Sequence, residues 1–155
     1  MGKFLDMRVS ENSNVYGFPA TPVTSTPALV GVIGLQTQNI AGTGTNGLIV
    51  NLAGTVGVDT SSGDGGTFIV NIQRGATTVY GGGDIIYTAE VTAAGFAPAN
   101  LISFNAVDLN APALLETQYT MFFSATYSSP TPPNLDRVGP ECFTGIAMDG
   151  SVSPS

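Results

Sequence analysis

Carboxylates are the most numerous side chains in this sequence that could carry acid–base or metal chemistry. It contains eleven acidic residues, one cysteine and no histidine, so neither a Ser-His-Asp triad nor a Cys/His zinc site can form. Four aspartates stand near Gly- or Ser-rich stretches or turns: Asp59, Asp64, Asp84 and Asp108. Their spacing does not match a calcium-binding loop, and loop aspartates commonly cap turns. We therefore predict no catalytic residue, no metal site and no cofactor, with a two-carboxylate hydrolase as a distant alternative.

The low charge of the chain narrows the kinds of partner it can have. Only 10% of its residues are charged, the formal net charge is −7, and the basic residues are Lys3, Arg8, Arg74 and Arg137. Without a basic cluster, there is no electrostatic basis for binding nucleic acid or an anionic membrane surface. No apolar run approaches the ~20 residues of a membrane-spanning helix, so membrane insertion is not expected. A surface of Thr, Ser, Asn and Gly favours packing against neighbouring copies.

Three residues near the C-terminal end have chemistry that we assign to structure. Cys142 is the only cysteine, so it is either a small buried side chain or a thiol that bonds to another subunit. Arg137 and Glu141 flank a Val-Gly-Pro turn that would bring their opposite charges together. In a chain with so few charges, we predict that this ion pair fixes a corner or an interface and has no catalytic role.

Apolar and polar residues alternate over five segments, which is the period of half-buried strands. Gly- or Pro-rich turns separate these segments, and no stretch of helical length has the apolar spacing of a helix. The pattern predicts an all-β protein: an antiparallel β-sandwich of the jelly-roll type, with about eight to ten strands, over residues 28–150. The segments are 48–52, 67–73, 85–91, 102–106 and 118–127.

The two ends of the chain differ from the part between them. Residues 1–27 are polar, lack periodicity and contain three prolines, so we predict an extended N-terminal arm; residues 151–155 form a short tail. We expect the arm to pair with the sheet edge of a neighbouring subunit, with Val15 and Phe18 as interface candidates. Charged residues stand where a signal peptide needs its apolar stretch, so no conventional signal peptide is expected.

Four large apolar residues interrupt the polar side of the predicted strands: Ile49, Ile69, Ile86 and Phe122. One explanation is that a loop or the arm covers these strands on their outer face. The other is a subunit interface with an apolar centre inside a rim of Thr and Asn. We take the four residues as interface candidates.

The C-terminal third resembles a known group of proteins. Gln118-Tyr-Thr-Met-Phe-Phe-Ser124, followed by Asp136-Arg-Val-Gly-Pro-Glu-Cys-Phe-Thr-Gly-Ile146, is similar to small β-rich proteins of spore-forming Firmicutes. The composition also resembles the jelly-roll domains of exosporium and spore-surface proteins. The resemblance implies a jelly-roll fold, assembly into trimers or lattices, and a location on the spore surface or in another extracellular assembly. It also implies that other surface-layer proteins are additional partners.

The sequence favours a non-enzymatic structural protein that self-assembles into a fibre, a surface layer or a trimer. One alternative is a ligand-binding β module of the C1q/TNF or lectin type, which would recognise carbohydrate through its loops. Another is a jelly-roll protein of a viral capsid or tail, which shares the same physics of assembly.

Overall fold

The computed structural model describes residues 3–17, 20–38, 40, 47–61, 66–92, 99–127 and 135–150. No helix among them is long and apolar enough to cross a membrane. Phe18 and the predicted tail 151–155 lie outside the described residues. The nine strands of the described part are β1 (Lys3–Ser13), β2 (Thr21–Pro22), β3 (Ala28–Leu35), β4 (Leu48–Asp59), β5 (Thr67–Arg74), β6 (Asp84–Thr92), β7 (Asn100–Asp108), β8 (Thr117–Thr126) and β9 (Asp136–Asp149).

The strands form two sheets that pack into a sandwich. Sheet 1 has the order β1-β9-β4-β7, with the short β2 also paired to β9, and sheet 2 has the order β3-β8-β5-β6. Every pairing is antiparallel, and most neighbouring strands are distant in sequence. The predicted all-β, antiparallel sandwich of the jelly-roll type is therefore confirmed, and the number of strands lies in the predicted range.

The core lies between the sheets and takes one side of each strand. On β7, Ile102, Phe104 and Ala106 are buried, whereas the residues between them are exposed. In sheet 2 the rings of Phe68 and Phe123 stack with their centroids 5.5 Å apart. Burial of apolar surface, worth about 25 cal/mol per Å², holds the two sheets together. The alternation in the sequence thus places each side chain inside or outside the sandwich.

The prediction of an extended N-terminal arm over residues 1–27 that pairs with a neighbouring subunit is corrected for residues 3–13. Residues 3–13 form β1, which pairs with β9 of the same chain from Lys3↔Asp149 to Ser13↔Glu141. The expected strand addition therefore takes place on the chain's own sheet edge. A register shift between Phe4 and Asp6 breaks the period of two, so the sequence pattern does not look like a strand.

Candidate functional site

Residues 75–83, the loop between β5 and β6, cover the part of the outer face of sheet 2 around Gln73, Thr120 and Phe122. The Gln73 side chain donates to the carbonyl oxygen of Val79 at 3.1 Å and accepts from the Gly81 amide at 2.8 Å. Thr120 on β8 donates to the carbonyl oxygen of Thr77 at 3.0 Å. These bonds fold the loop back over its own sheet, because buried polar side chains need partners.

Phe122 lies beneath this loop and is only 2% exposed. The Tyr80 ring packs edge-on against it, with 5.3 Å between the ring centroids. The interface assignment of Phe122 is therefore corrected: the chain's own loop covers this residue, as the alternative explanation proposed. Ile69 on β5 also points to the outer face of sheet 2, and its side chain is half-buried.

The outer face of sheet 1 is open over the same length. The pairing of the strands places its large side chains next to one another. Phe4 on β1 and Ile49 on β4 are both paired with Met148 on β9, and Met7 is paired with Ile146. Phe4 is 61% exposed and Met7 47%. We call the following set the outer apolar face: Phe4, Met7 and Val9 on β1, Ile146 and Met148 on β9, Ile49 on β4, and Val107 on β7.

Charge is nearly missing from this surface. We consider the part of sheet 1 between the Phe4–Met148 pair and the Glu11–Cys142 pair. Among its outward residues on β1, β9, β4 and β7, Glu11 at the rim is the one charged side chain. The uncharged polar residues among them are Asn, Ser and Thr. The structure therefore places the sequence candidate Ile49 among large apolar side chains at one end of this face, with uncharged polar residues toward the other end.

Beside these large side chains lies a shallow depression of ≈ 210 Å³. Most of its lining residues have small side chains, and Thr55 on β4 and Ser103 on β7 place their hydroxyl oxygens 3.3 Å apart. We call it the depression and define it by its outward residues: Ala53, Thr55, Ser103, Asn105, Cys142 and Thr144. Cys142 carries a free thiol here and is partly exposed rather than fully buried in the core.

The remaining interface candidates do not belong to the outer apolar face. Ile86 is half-buried, packs partly against the core and borders a second cavity with Val107 and Leu109. Val15 follows β1 and is 61% exposed. The interface prediction for Phe18 falls outside the described residues.

Arg137 and Glu141 lie together on the inner side of sheet 1. The Arg137 Nε and Glu141 Oε1 atoms are 3.5 Å apart, and the two side chains are 9% and 1% exposed. Asn12 on β1 donates to Glu141 Oε2 at 3.2 Å, which ties the edge strand to the pair. Arg137 Nε and Nη1 and Glu141 Oε1 make no hydrogen bond with any described residue, so charge alone joins the two groups.

Sequence reasoning missed a second buried polar cluster, at one end of the sandwich. Arg74 at the end of β5 donates to Asp108 Oδ2 on β7 at 2.8 Å and also contacts Asp84 at 3.2 Å. The Tyr119 hydroxyl on β8 donates to the same Asp108 oxygen at 3.0 Å. Burial, and then the nearby Asp108 carboxylate, raise the pKa of Tyr119 above its ordinary value. One signal in the sequence was available: Asp108 continues the buried positions of β7.

The Arg74 cluster connects the two sheets, because Arg74 and Tyr119 belong to sheet 2 and Asp108 belongs to sheet 1. Cavities of ≈ 260 and ≈ 290 Å³ border Arg74 on the surface. Over the described ranges, no three acidic or cysteine side chains come together as metal ligands. The hydrogen bonds and the ion pair of this cluster join β5, β7 and β8, which is a structural role.

The chain matches no protein-family model and no curated protein. Among solved structures, it is similar to a VP2 subviral particle of infectious bursal disease virus, with a TM-score of 0.50 and 13% identity over 96% of this chain and 34% of that chain. It is also similar to the Eiger TNF from S. frugiperda, with a TM-score of 0.47 and 11% identity over 99% and 98% of the two chains. The chain spans about a third (34–37%) of the length of three infectious bursal disease virus proteins that it matches. At this identity the likeness concerns the fold alone.

Proposed function

We propose that this chain is a non-enzymatic structural subunit that self-assembles by burying its outer apolar face. One observation carries the proposal: the chain covers Phe122, on the outer face of sheet 2, with its own loop and leaves the large apolar side chains on the outer face of sheet 1 open. Large apolar patches on otherwise polar surfaces mark sites of protein association.

The sparse charge supports the same proposal. Two copies can approach through this face without removing a described charge from water, apart from Glu11 at the rim. Desolvating unpaired charges is a main cost of association, whereas burying apolar area is favourable. A contact through this face therefore gains from its apolar side chains and loses little from its polar ones.

The proposed location is the surface of a spore or another extracellular assembly, with other surface-layer proteins as further partners. The resemblance of residues 118–146 to small β-rich proteins of spore-forming Firmicutes, and of the composition to spore-surface jelly-roll domains, supports it. Immunogold labelling of intact spores tests it, and label confined to the cell interior would contradict it. The likeness in fold to a viral VP2 particle supports a second candidate, a capsid or tail subunit that uses the same self-association.

Native mass tests the self-assembly. We expect light scattering to show a mass above that of the 15.8 kDa chain, increasing with concentration. Val107→Lys places a charge in the outer apolar face and should shift the mass toward the monomer. Val79→Lys is the matched control, because Val79 is 68% exposed on the loop over sheet 2 and Val107 is 56% exposed. A wild-type monomer at every concentration, or a Val107→Lys mass equal to that of wild type, would overturn the proposal.

A further inference from the structure

We infer that the occupant of the outer apolar face is a second copy of this chain, related by a two-fold axis, whose large side chains cover the depression around Cys142. The inference rests on the proposed self-assembly and adds the partner's orientation and the fate of Cys142. It concerns two neighbouring halves of one surface: the ridge, formed by Phe4, Met7, Ile49, Ile146 and Met148, and the depression next to it.

The distribution of charge favours the same face on both sides. The chain has a net charge of −7, so the repulsion between two copies is smallest when they meet through surfaces that carry few charged side chains. On sheet 2, β6 carries the exposed acidic residues Asp84 and Glu90. Packing the outer side of sheet 1 in one copy against the outer side of sheet 1 in the other leaves these carboxylates in water in both copies.

The relief of the face also favours a two-fold arrangement. The ridge lies toward the end marked by the Phe4–Met148 pair, and the depression lies toward the Glu11–Cys142 pair. A two-fold axis that runs between them in the plane of the interface exchanges the two halves. The ridge of each copy then meets the depression of the other, which makes the contact self-complementary in the way that an isologous interface requires.

The area fits a weak, reversible dimer. Four strands about 4.8 Å apart, over about seven residues that each rise about 3.3 Å, give a face of about 450 Å² per copy. Both copies together bury about 900 Å², which is in the range of transient protein interfaces. We therefore expect a dimer that dissociates on dilution.

Cys142 reports on this arrangement directly. It is the only thiol of the chain, it lines the depression, and it is partly exposed in the single chain. In the two-fold dimer the partner's ridge covers it. Labelling then proceeds through the monomer alone, so the rate should fall about tenfold where about 90% of the chain is dimeric.

The experiment measures the rate of maleimide labelling of Cys142 by mass spectrometry, beside native mass, over a range of protein concentrations. For wild type and for Val79→Lys, we expect labelling to slow as the mass increases. Met7→Lys in the ridge and Ser103→Tyr in the depression should both restore fast labelling; circular dichroism checks that they fold. Both positions are exposed on the surface, so their replacement leaves the core intact.

The outcomes separate this inference from the proposed function. An oligomer whose Cys142 is labelled as fast as in the dilute monomer would overturn the inference and leave self-assembly standing. Protection that persists in both variants while the oligomer remains would also overturn it. A wild-type monomer at every concentration would overturn both.

Discussion

The buried pair of Arg137 and Glu141 gives a prediction that separates charge from packing. Glu141→Gln keeps the size of the side chain and an oxygen that can accept from Asn12, but it removes the negative charge 3.5 Å from the Arg137 guanidinium. Arg137→Met removes the positive charge and keeps most of the side-chain length. Each single variant leaves one buried charge without its counter-charge.

The size of the effect follows from burial. Arg137 is 9% exposed and Glu141 is 1% exposed, so water replaces little of the lost interaction. Removing one partner of a buried pair costs about 3–5 kcal/mol, whereas removing both charges avoids an unpaired one. We expect each single variant to lose about 3 kcal/mol of unfolding free energy. The double variant should lose less than either single variant, because neither charge is left without its counter-charge, so the coupling energy should be at least about 3 kcal/mol.

Urea unfolding followed by circular dichroism measures these differences, with equal slopes of free energy against urea as the condition for comparing variants. Arg8→Gln is the matched control. Arg8 pairs with Asp6 at 3.1 Å, but its side chain is 53% exposed, so its replacement should cost about 1 kcal/mol or less. Losses in the single variants no larger than in this control, or losses that add fully in the double variant, would refute a stabilising role of the buried pair.

Two further predictions concern the interior of the sandwich and its covered face. Tyr119→Phe removes a hydrogen bond to the buried Asp108 and should cost about 1.5–3 kcal/mol at neutral pH. The pKa of Tyr119 is raised above 10.0 in the folded chain, so folding opposes its ionisation. Above about pH 10, the unfolding free energy of the wild type should therefore fall by about 1.4 kcal/mol per pH unit more than that of the variant. Parallel pH profiles would contradict this. Tyr80→Ala should lower the unfolding free energy by about 1 kcal/mol and, by exposing Phe122, increase the binding of a hydrophobic dye. The control Val79→Ala should do neither. Unchanged dye binding in Tyr80→Ala would show that Tyr80 does not cover Phe122.

The sandwich could be predicted because its alternating segments are long and regular. On β8, Tyr119, Met121 and Phe123 all face the core, as their spacing indicated. The spacing of Arg137 and Glu141 likewise indicated their proximity, since four residues around a turn can bring two side chains together. Local patterns of this kind are read from neighbouring residues and need no knowledge of the rest of the chain.

The assignment of β1 failed for a physical reason. The register shift after Phe4 moves Met7 and Val9 onto the same outer face, which breaks the alternation that marks a strand. The Arg74 cluster was missed because its members come from β5, β7 and β8, and only the packing of the two sheets brings them within hydrogen-bond distance.

The sequence by itself determined the alternation that builds the sandwich, the sparse charge, and the absence of histidine and of a second cysteine. It also marked Ile49 and Phe122 as apolar residues on outward positions. Only the tertiary structure decided that Phe122 is covered by residues 75–83 while Ile49 joins an open surface with Phe4 and Met148. Alternation assigns a side chain to one face of its own strand, but what lies over that face depends on segments distant in the chain.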